Sequence, residues 1–251
     1  MAADAESGGV LGGARHWMPV EANPFTIQAY AEKLGAPLRS AGLVFSDVMG
    51  TDEVLLGMVP QPVSALMLLF PVSAASEAHR ASEEAARSAA APAPGVRPPF
   101  FMSQTIDNAC GTIGLIHVVA ALAAAGEVAL APGSFFAKFF SETAAAAPGE
   151  RALALEASPE LDAEHAALAH EGQSAVVDDT HQHFIALVRG TDGTLWELDG
   201  RKAAPIPHGP TAPHTFLADA VRVVKEFMAR DPDEVRFALV SLGPPPPEED
   251  A

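Results

Sequence analysis

The chain has 251 residues, nearly half of them apolar, with a single cysteine and 32 acidic against 15 basic side chains. That length suits one sizeable domain with a packed core and does not require two. One thiol excludes an internal disulfide framework and a Cys-rich zinc site, and it suits a reducing compartment. The net charge of −17 repels nucleic acid and anionic membranes and favours a basic partner, although an acidic surface also simply keeps a protein soluble.

In chain order, residues 1–15 are small and Gly/Ala-rich, and a flexible N-terminal extension is expected there. The run MAADAESGGVLGGARHW lacks the basic-then-apolar pattern of a signal peptide, and no apolar run reaches the length of a membrane span. The expected address is the cytoplasm, with the nucleus also open. A helix is predicted after Asn23, which can cap, with Pro24 in the first turn, apolar residues from Phe25 to Leu34, and Gly35 at the end. LVFSDVMG reads as a short strand, TDEVLLGMVP as a helical piece capped by Thr51 or Asp52, and PVSALMLLF as a buried strand.

Residues 73–98 are Ala/Ser/Glu-rich and end in a Pro/Gly cluster, so a solvated helix followed by a loop is expected. Residues 141–180 are alanine-rich and read as a long connection with at most short helices. HFIALVRGTDGTLWELDG reads as a hairpin, TFLADAVRVVKEFMARDPDE as an amphipathic helix stopped near Pro232, and VRFALVSL as a last strand before a disordered tail over 243–251. Helices mixed with antiparallel strands indicate an α+β domain.

The only cysteine, Cys110, lies in NACGTIGLIHVVAALAAAG, where a helix begins. Unpaired N–H groups and the macrodipole at a helix start lower a thiol's pKa, and only the thiolate is a good nucleophile. A lone cysteine is more often a small buried hydrophobe. A thiolate nucleophile also needs a proton partner. His117 shares the helix face, but a rise of about 1.5 Å per residue sets it roughly 10 Å along the axis, beyond the reach of a general base. It is better read as structural.

His183 opens a strand and can face a helix terminus, with His181 as its rival. If the hairpin loop is five residues, Arg189 to Gly193, then Val188 faces Thr194 and His183 falls opposite Asp199 on one face. A four-residue loop breaks that alignment, and the register is open at this point. Asp199 is equally readable as the acid of an Asp-Gly turn. Gln104, six residues before Cys110, is placed where a side-chain amide can help stabilise an oxyanion, a weak signal on spacing alone.

QTIDNACGTIGLIH, HFIALV, WELDGRKAAPIPHG, FMARDPDEVRF, EANPFTIQAYAEKLG and DVMGTDEVLLGMVPQPVSALMLLFP together resemble the ubiquitin C-terminal hydrolase family, peptidase C12, in order and spacing. The resemblance is to its short, single-domain members and spans about residues 16–242. It implies an antiparallel sheet packed between helices, a papain-like cysteine protease core and a knotted backbone. A crossover loop, placed by the same resemblance within about residues 150–170, would span the active site.

By residue match Cys110 would be the nucleophile, His183 its base, Asp199 the residue that orients the imidazole, and Gln104 the oxyanion stabiliser. No metal or organic cofactor is implied. The implied partner is ubiquitin, whose basic C-terminal tail would meet Glu21, Asp47 and Glu234. A ubiquitin-like modifier such as NEDD8 is a further candidate, and a monomer is expected. The chain departs from the family pattern in the alanine-rich 150–170 stretch, in 73–98, and at Met49, where an aromatic is usual. A role in holding free ubiquitin with little turnover is the alternative to hydrolysis.

Overall fold

The computed structural model describes residues 17–88, 97–171 and 181–247. The expected N-terminal extension and the last residues of the expected tail lie outside the described residues. So does the loop half of the 73–98 segment over residues 89–96.

Helix α1 (Pro24–Lys33) starts as its sequence dictates: Asn23 Oδ1 accepts from the N–H groups of Phe25 and Thr26, and Gly35 beyond the helix adopts φ 104°. Strand β1 (Val44–Asp47) follows, then a single turn, α2 (Glu53–Leu56), capped by Asp52. Strand β2 (Ala65–Pro71) leads into α3 (Ala74–Ser88), the helix predicted for the first half of 73–98. The remaining elements are α4 (Cys110–Ala125), α5 (Phe135–Glu142), α6 (Pro148–Glu156), α7 (Pro159–Glu171), β3 (Gln182–Arg189), β4 (Thr194–Leu198), β5 (Ile206–Pro210), α8 (Phe216–Met228) and β6 (Ala238–Gly243).

The strands form one six-stranded sheet in the order β1-β6-β2-β3-β4-β5, antiparallel throughout. Side-chain alternation divides the core between its faces. Ala65 and Met67 of β2, with Phe184, Ala186 and Val188 of β3, pack beneath α1, α4, α5 and the first turns of α7. Leu66, Leu68 and Phe70, with Ile185 and Leu187, pack against α8. Burial on both faces is why β2 and β3 read as continuous apolar runs. Helix α4 is buried nearly all round through Leu122, and it approaches the sheet closely because Gly111 and Gly114 carry no side chain. A Cβ on Gly111 would lie 3.1 Å from Val20 Cβ and 3.4 Å from the Phe184 ring. No helix among the described residues is long and apolar enough to cross a membrane.

Three differences from the sequence reading have physical causes. Residues 141–171 are mostly helical, with α7 running for 13 residues. The stretch expected to cross the active site over about 150–170 is therefore α6 and α7, and residues 172–180 lie outside the described residues. Helix α7 is held by specific contacts that leave no stripe in the sequence. The His165 ring stacks on Trp17 at 4.1 Å and meets Thr112 Oγ1 at 2.9 Å and the Met18 carbonyl at 2.8 Å.

Strand β5 contains Pro207 and Pro210, which suit only an edge strand, and β5 is one. The β3–β4 hairpin is also tighter than a five-residue loop. Val188 pairs with Trp196 and Arg189 with Leu195. Gly190 and Thr194 close the turn, Gly193 sits at φ 77°, and Asp192 accepts from the Thr194 N–H. Asp199 therefore lies diagonally from His183 rather than opposite it. The shift is an even number of residues, so the two still share a face.

Candidate active site

The C-terminal ends of β1, β2 and β4 and the N-terminal ends of β3 and β6 lie at one end of the sheet, as the pairings Asp47 with Val240, Leu69 with Ala238 and Phe70 with His183 require. The N-terminus of α4 reaches the same end. Cys110 is its first residue, follows Asn108 at φ 60°, and has no side-chain cap ahead of it. The first-turn N–H groups are thus left for other acceptors.

Cys110 is nearly fully buried, and its thiol lies where His183 acts on it, with lesser influence from the backbone N–H groups of Phe184 and Gly111. Burial pushes this thiol up, but the influence of His183 outweighs burial and holds it below the ordinary thiol range. His183 Nε2 lies 2.6 Å from Asp199 Oδ1, with both side chains buried. Nε2 is committed to Asp199, so Nδ1 is the nitrogen left for the thiol. Phe70 packs against the His183 ring with the two planes nearly perpendicular and the centroids 5.7 Å apart. Burial disfavours the charged imidazole, but Asp199 and then Cys110 raise His183 to about 9. Asp199 is lowered to about 2: burial opposes this, and the charge and hydrogen bond of His183 and the Arg201 N–H overcome it. Near neutral pH the groups can exist as thiolate and imidazolium, the reactive pair of a cysteine hydrolase.

Gln104 is fixed at its backbone by a bond from its N–H to the Gly200 carbonyl at 2.8 Å. The segment before it is tied to α6, where Ser103 N–H donates to the Pro148 carbonyl and Arg151 donates to the Phe101 carbonyl at 2.7 Å. Gln104 Nε2 donates to the Ile106 carbonyl at 3.2 Å, which leaves its second N–H available. Gly200 lets this approach be close, because a Cβ would lie 3.1 Å from both Gln104 Cβ and Ile113 Cγ2, tight enough to press on them. One Asp-Gly pair thus aims Asp199 at the imidazole and supports Gln104.

His117 is structural, as its position along the helix predicts. It is fully buried, stacks on Phe101 at 5.2 Å, accepts from the Met102 N–H, and is pushed down to about 4 by burial. His181 precedes β3 at φ 45° with its carbonyl bonded to Val72 N–H, and the imidazole on Asp199 is that of His183. Of the three acids expected to bind a basic tail, Asp47 is exposed at the end of β1. Glu21 follows Val20, whose side chain lies against Gly111. Glu234 is engaged locally, gripped by Arg236 at 2.6 Å and 2.9 Å and accepting the Val235 and Arg236 N–H groups.

The sequence reading missed Phe70, Glu197 and Lys202, which surround the His183–Asp199 pair. A charge flanked by apolar residues in the strand run LWEL was the available signal for Glu197.

A buried thiol at a helix start, beside an imidazole oriented by a carboxylate, is the arrangement of a papain-like cysteine hydrolase. The sequence model of ubiquitin carboxyl-terminal hydrolase, family 1, matches residues 17–229, and the chain belongs to that family of cysteine peptidases. It is 45% identical over 228 residues to a ubiquitin carboxyl-terminal hydrolase of Drosophila melanogaster, covering 90% of this chain and 96% of the relative. It is 41% identical over 224 residues to the human ubiquitin carboxyl-terminal hydrolase isozyme L1, covering 89% and 96%. The Trichinella spiralis UCH37 catalytic domain, crystallised with ubiquitin vinyl methyl ester, shares the fold at TM-score 0.71 and 23% identity, over 94% of this chain and all of that one.

Proposed function

We propose that the chain is a deubiquitinating thiol hydrolase that removes small adducts or short extensions from the C-terminal glycine of ubiquitin. The observation that carries this reading is the His183–Asp199 bond at 2.6 Å beside Cys110 at the start of α4, in a chain of this family. The Cys110 thiolate attacks the glycine carbonyl carbon, and the Gln104 amide with the Cys110 N–H donates to the oxyanion. His183 gives its proton to the leaving amine, alcohol or thiol as the thioester forms. Water then attacks the thioester and loses a proton to His183, and free ubiquitin departs from the regenerated thiolate. No step needs a metal or organic cofactor.

Binding by an acidic surface agrees with the net charge of −17, and Asp47 is the best-placed acid for a basic tail because its side chain is exposed at the site's end of the sheet. The alternative, a protein that holds ubiquitin with little turnover, would leave thiol and imidazole apart. Each instead shifts the other's protonation, the thiol downward and the imidazole upward, which favours turnover. The test is labelling with ubiquitin vinyl methyl ester followed by peptide mapping. Adduct on the Cys110 peptide, absent in Cys110→Ala, supports the reading; no adduct at any ratio of reagent to protein refutes it.

A further inference from the structure

The turn carrying Asp199 rests on charges that take no part in the steps above. Glu197 precedes Asp199 by two residues, shares its strand face and is fully buried. Successive residues on one face of a strand are about 7 Å apart, so two buried carboxylates would repel and one would take a proton. A cation prevents this. Lys202 Nζ meets Glu197 Oε1 at 2.5 Å and Glu83 of α3 at 2.5 Å, and His208 Nε2 of β5 meets Glu197 Oε2 at 2.9 Å. The Lys202 backbone N–H also donates to the Asp199 carbonyl at 2.9 Å, closing the turn. Arg201, in the same turn, pairs with Glu77 of α3 at 2.7 Å.

A buried ion pair is seldom the cheapest way to fill a core, since apolar residues of the same volume often do as well. Its position against the carboxylate that holds the imidazole suggests a different use. We propose that Lys202 and Glu197 are positioning residues for the His183–Asp199 pair, fixing the 199–202 turn and setting the field in which thiol and imidazole share their proton. The proposal rests on the reading of His183 as the proton carrier. The other charged or titratable groups facing this cluster are Glu77, His79, Arg80 and Glu83 from α3, His208 from β5, Arg201 from the turn, and Arg230 after α8.

The two members of the pair have opposite signs, so their removal has opposite effects. Lys202→Met makes the field at the site more negative than in the parent, where Glu197 and Glu83 share the one lysine, and so disfavours each loss of a proton. Glu197→Gln makes it more positive than in the parent and favours that loss. The measurement is the pH dependence of Cys110 alkylation by iodoacetamide in the full-length protein between pH 4 and 10.5. Stability of every variant is measured in parallel by urea unfolding.

The thiol titration should move up by about 0.5–1.5 pH units in Lys202→Met and down by a similar amount in Glu197→Gln. It should stay near its original position in Lys202→Arg. If Lys202→Met does not fold, the downward shift in the near-isosteric Glu197→Gln carries the test alone. Loss of stability with titrations unmoved, or shifts of one sign in both variants, would overturn the proposal by showing a structural role only. His183→Gln separates the underlying reading. An unchanged thiol titration in that variant would refute the role of His183 itself, whatever the Lys202 and Glu197 variants do.

Discussion

Asp199→Asn tests the electrostatics of the site with little change of shape. The asparagine oxygen can still accept from His183 Nε2 at the 2.6 Å position, but the negative charge is gone. That charge is the main influence raising the buried imidazole to about 9. A fall from about 9 to the ordinary value of 6.5 corresponds to roughly 3 kcal/mol of lost preference for the imidazolium, and burial of the ring carries it lower still. Without its cationic partner the thiol loses the main influence holding it below the ordinary range, burial pushes it up, and less of it is thiolate at pH 7.

Alkylation at pH 7 is therefore expected to slow by about tenfold or more relative to the parent. The value of kcat/KM should fall by about 10²–10⁴, because the proton for the leaving group is lost as well. The sign is also fixed. In the unaltered protein the reactive pair persists until His183 loses its proton as pH rises through about 9. In the variant the thiolate accumulates only as the thiol itself titrates, so alkylation keeps rising through pH 8–10. Alkylation and cleavage within twofold of the parent at pH 7, with a basic limb still near 9, would refute the reasoning.

Three further outcomes are expected. Gly200→Ala pushes a methyl to within 3.1 Å of Gln104 Cβ and Ile113, and steady-state kinetics should show kcat reduced at least tenfold with ubiquitin affinity nearly unchanged; an unaltered kcat would free Gln104 of its role. His165→Leu removes the ring contacts to Thr112 and Met18, and urea unfolding should report a loss of about 2–4 kcal/mol, with an unchanged midpoint counting against a pinned α7. Asp47→Arg should weaken ubiquitin binding and flatten its salt dependence, whereas Glu234→Ala should have the smaller effect because that carboxylate is already held by Arg236; titration calorimetry at two salt concentrations ranks them.

What was legible in the sequence was local. The start of α4 at Cys110 and the Asn23 cap follow from short-range rules, whereas His183 and Asp199 were placed on one face only on condition that the hairpin loop had an odd number of residues, which it does. The exact register was not legible, because a left-handed Gly193 and the Asp192 side chain tighten the turn in a way residue identities only permit. Helix α6 was obscured because alanine fills both a buried and an exposed position, Ala152 and Ala154, and α7 because its buried Leu161 and His165 form no apolar stripe. The contacts that hold α7, Trp17 with His165 and the Trp17 indole with Asp162, bridge 145 residues or more. The Glu197–Lys202 pair was hidden for a similar reason. A glutamate on a strand reads as a solvated residue until the partner that neutralises it is seen across the turn.

The most direct test of the central claim is steady-state cleavage of a fluorogenic amide at the C-terminus of ubiquitin, run beside ubiquitin affinity for Cys110→Ala. The account predicts turnover that disappears in Cys110→Ala while affinity stays within a few-fold of the parent. Turnover that survives the loss of the only thiol, or tight binding by the parent with no detectable cleavage, would contradict it.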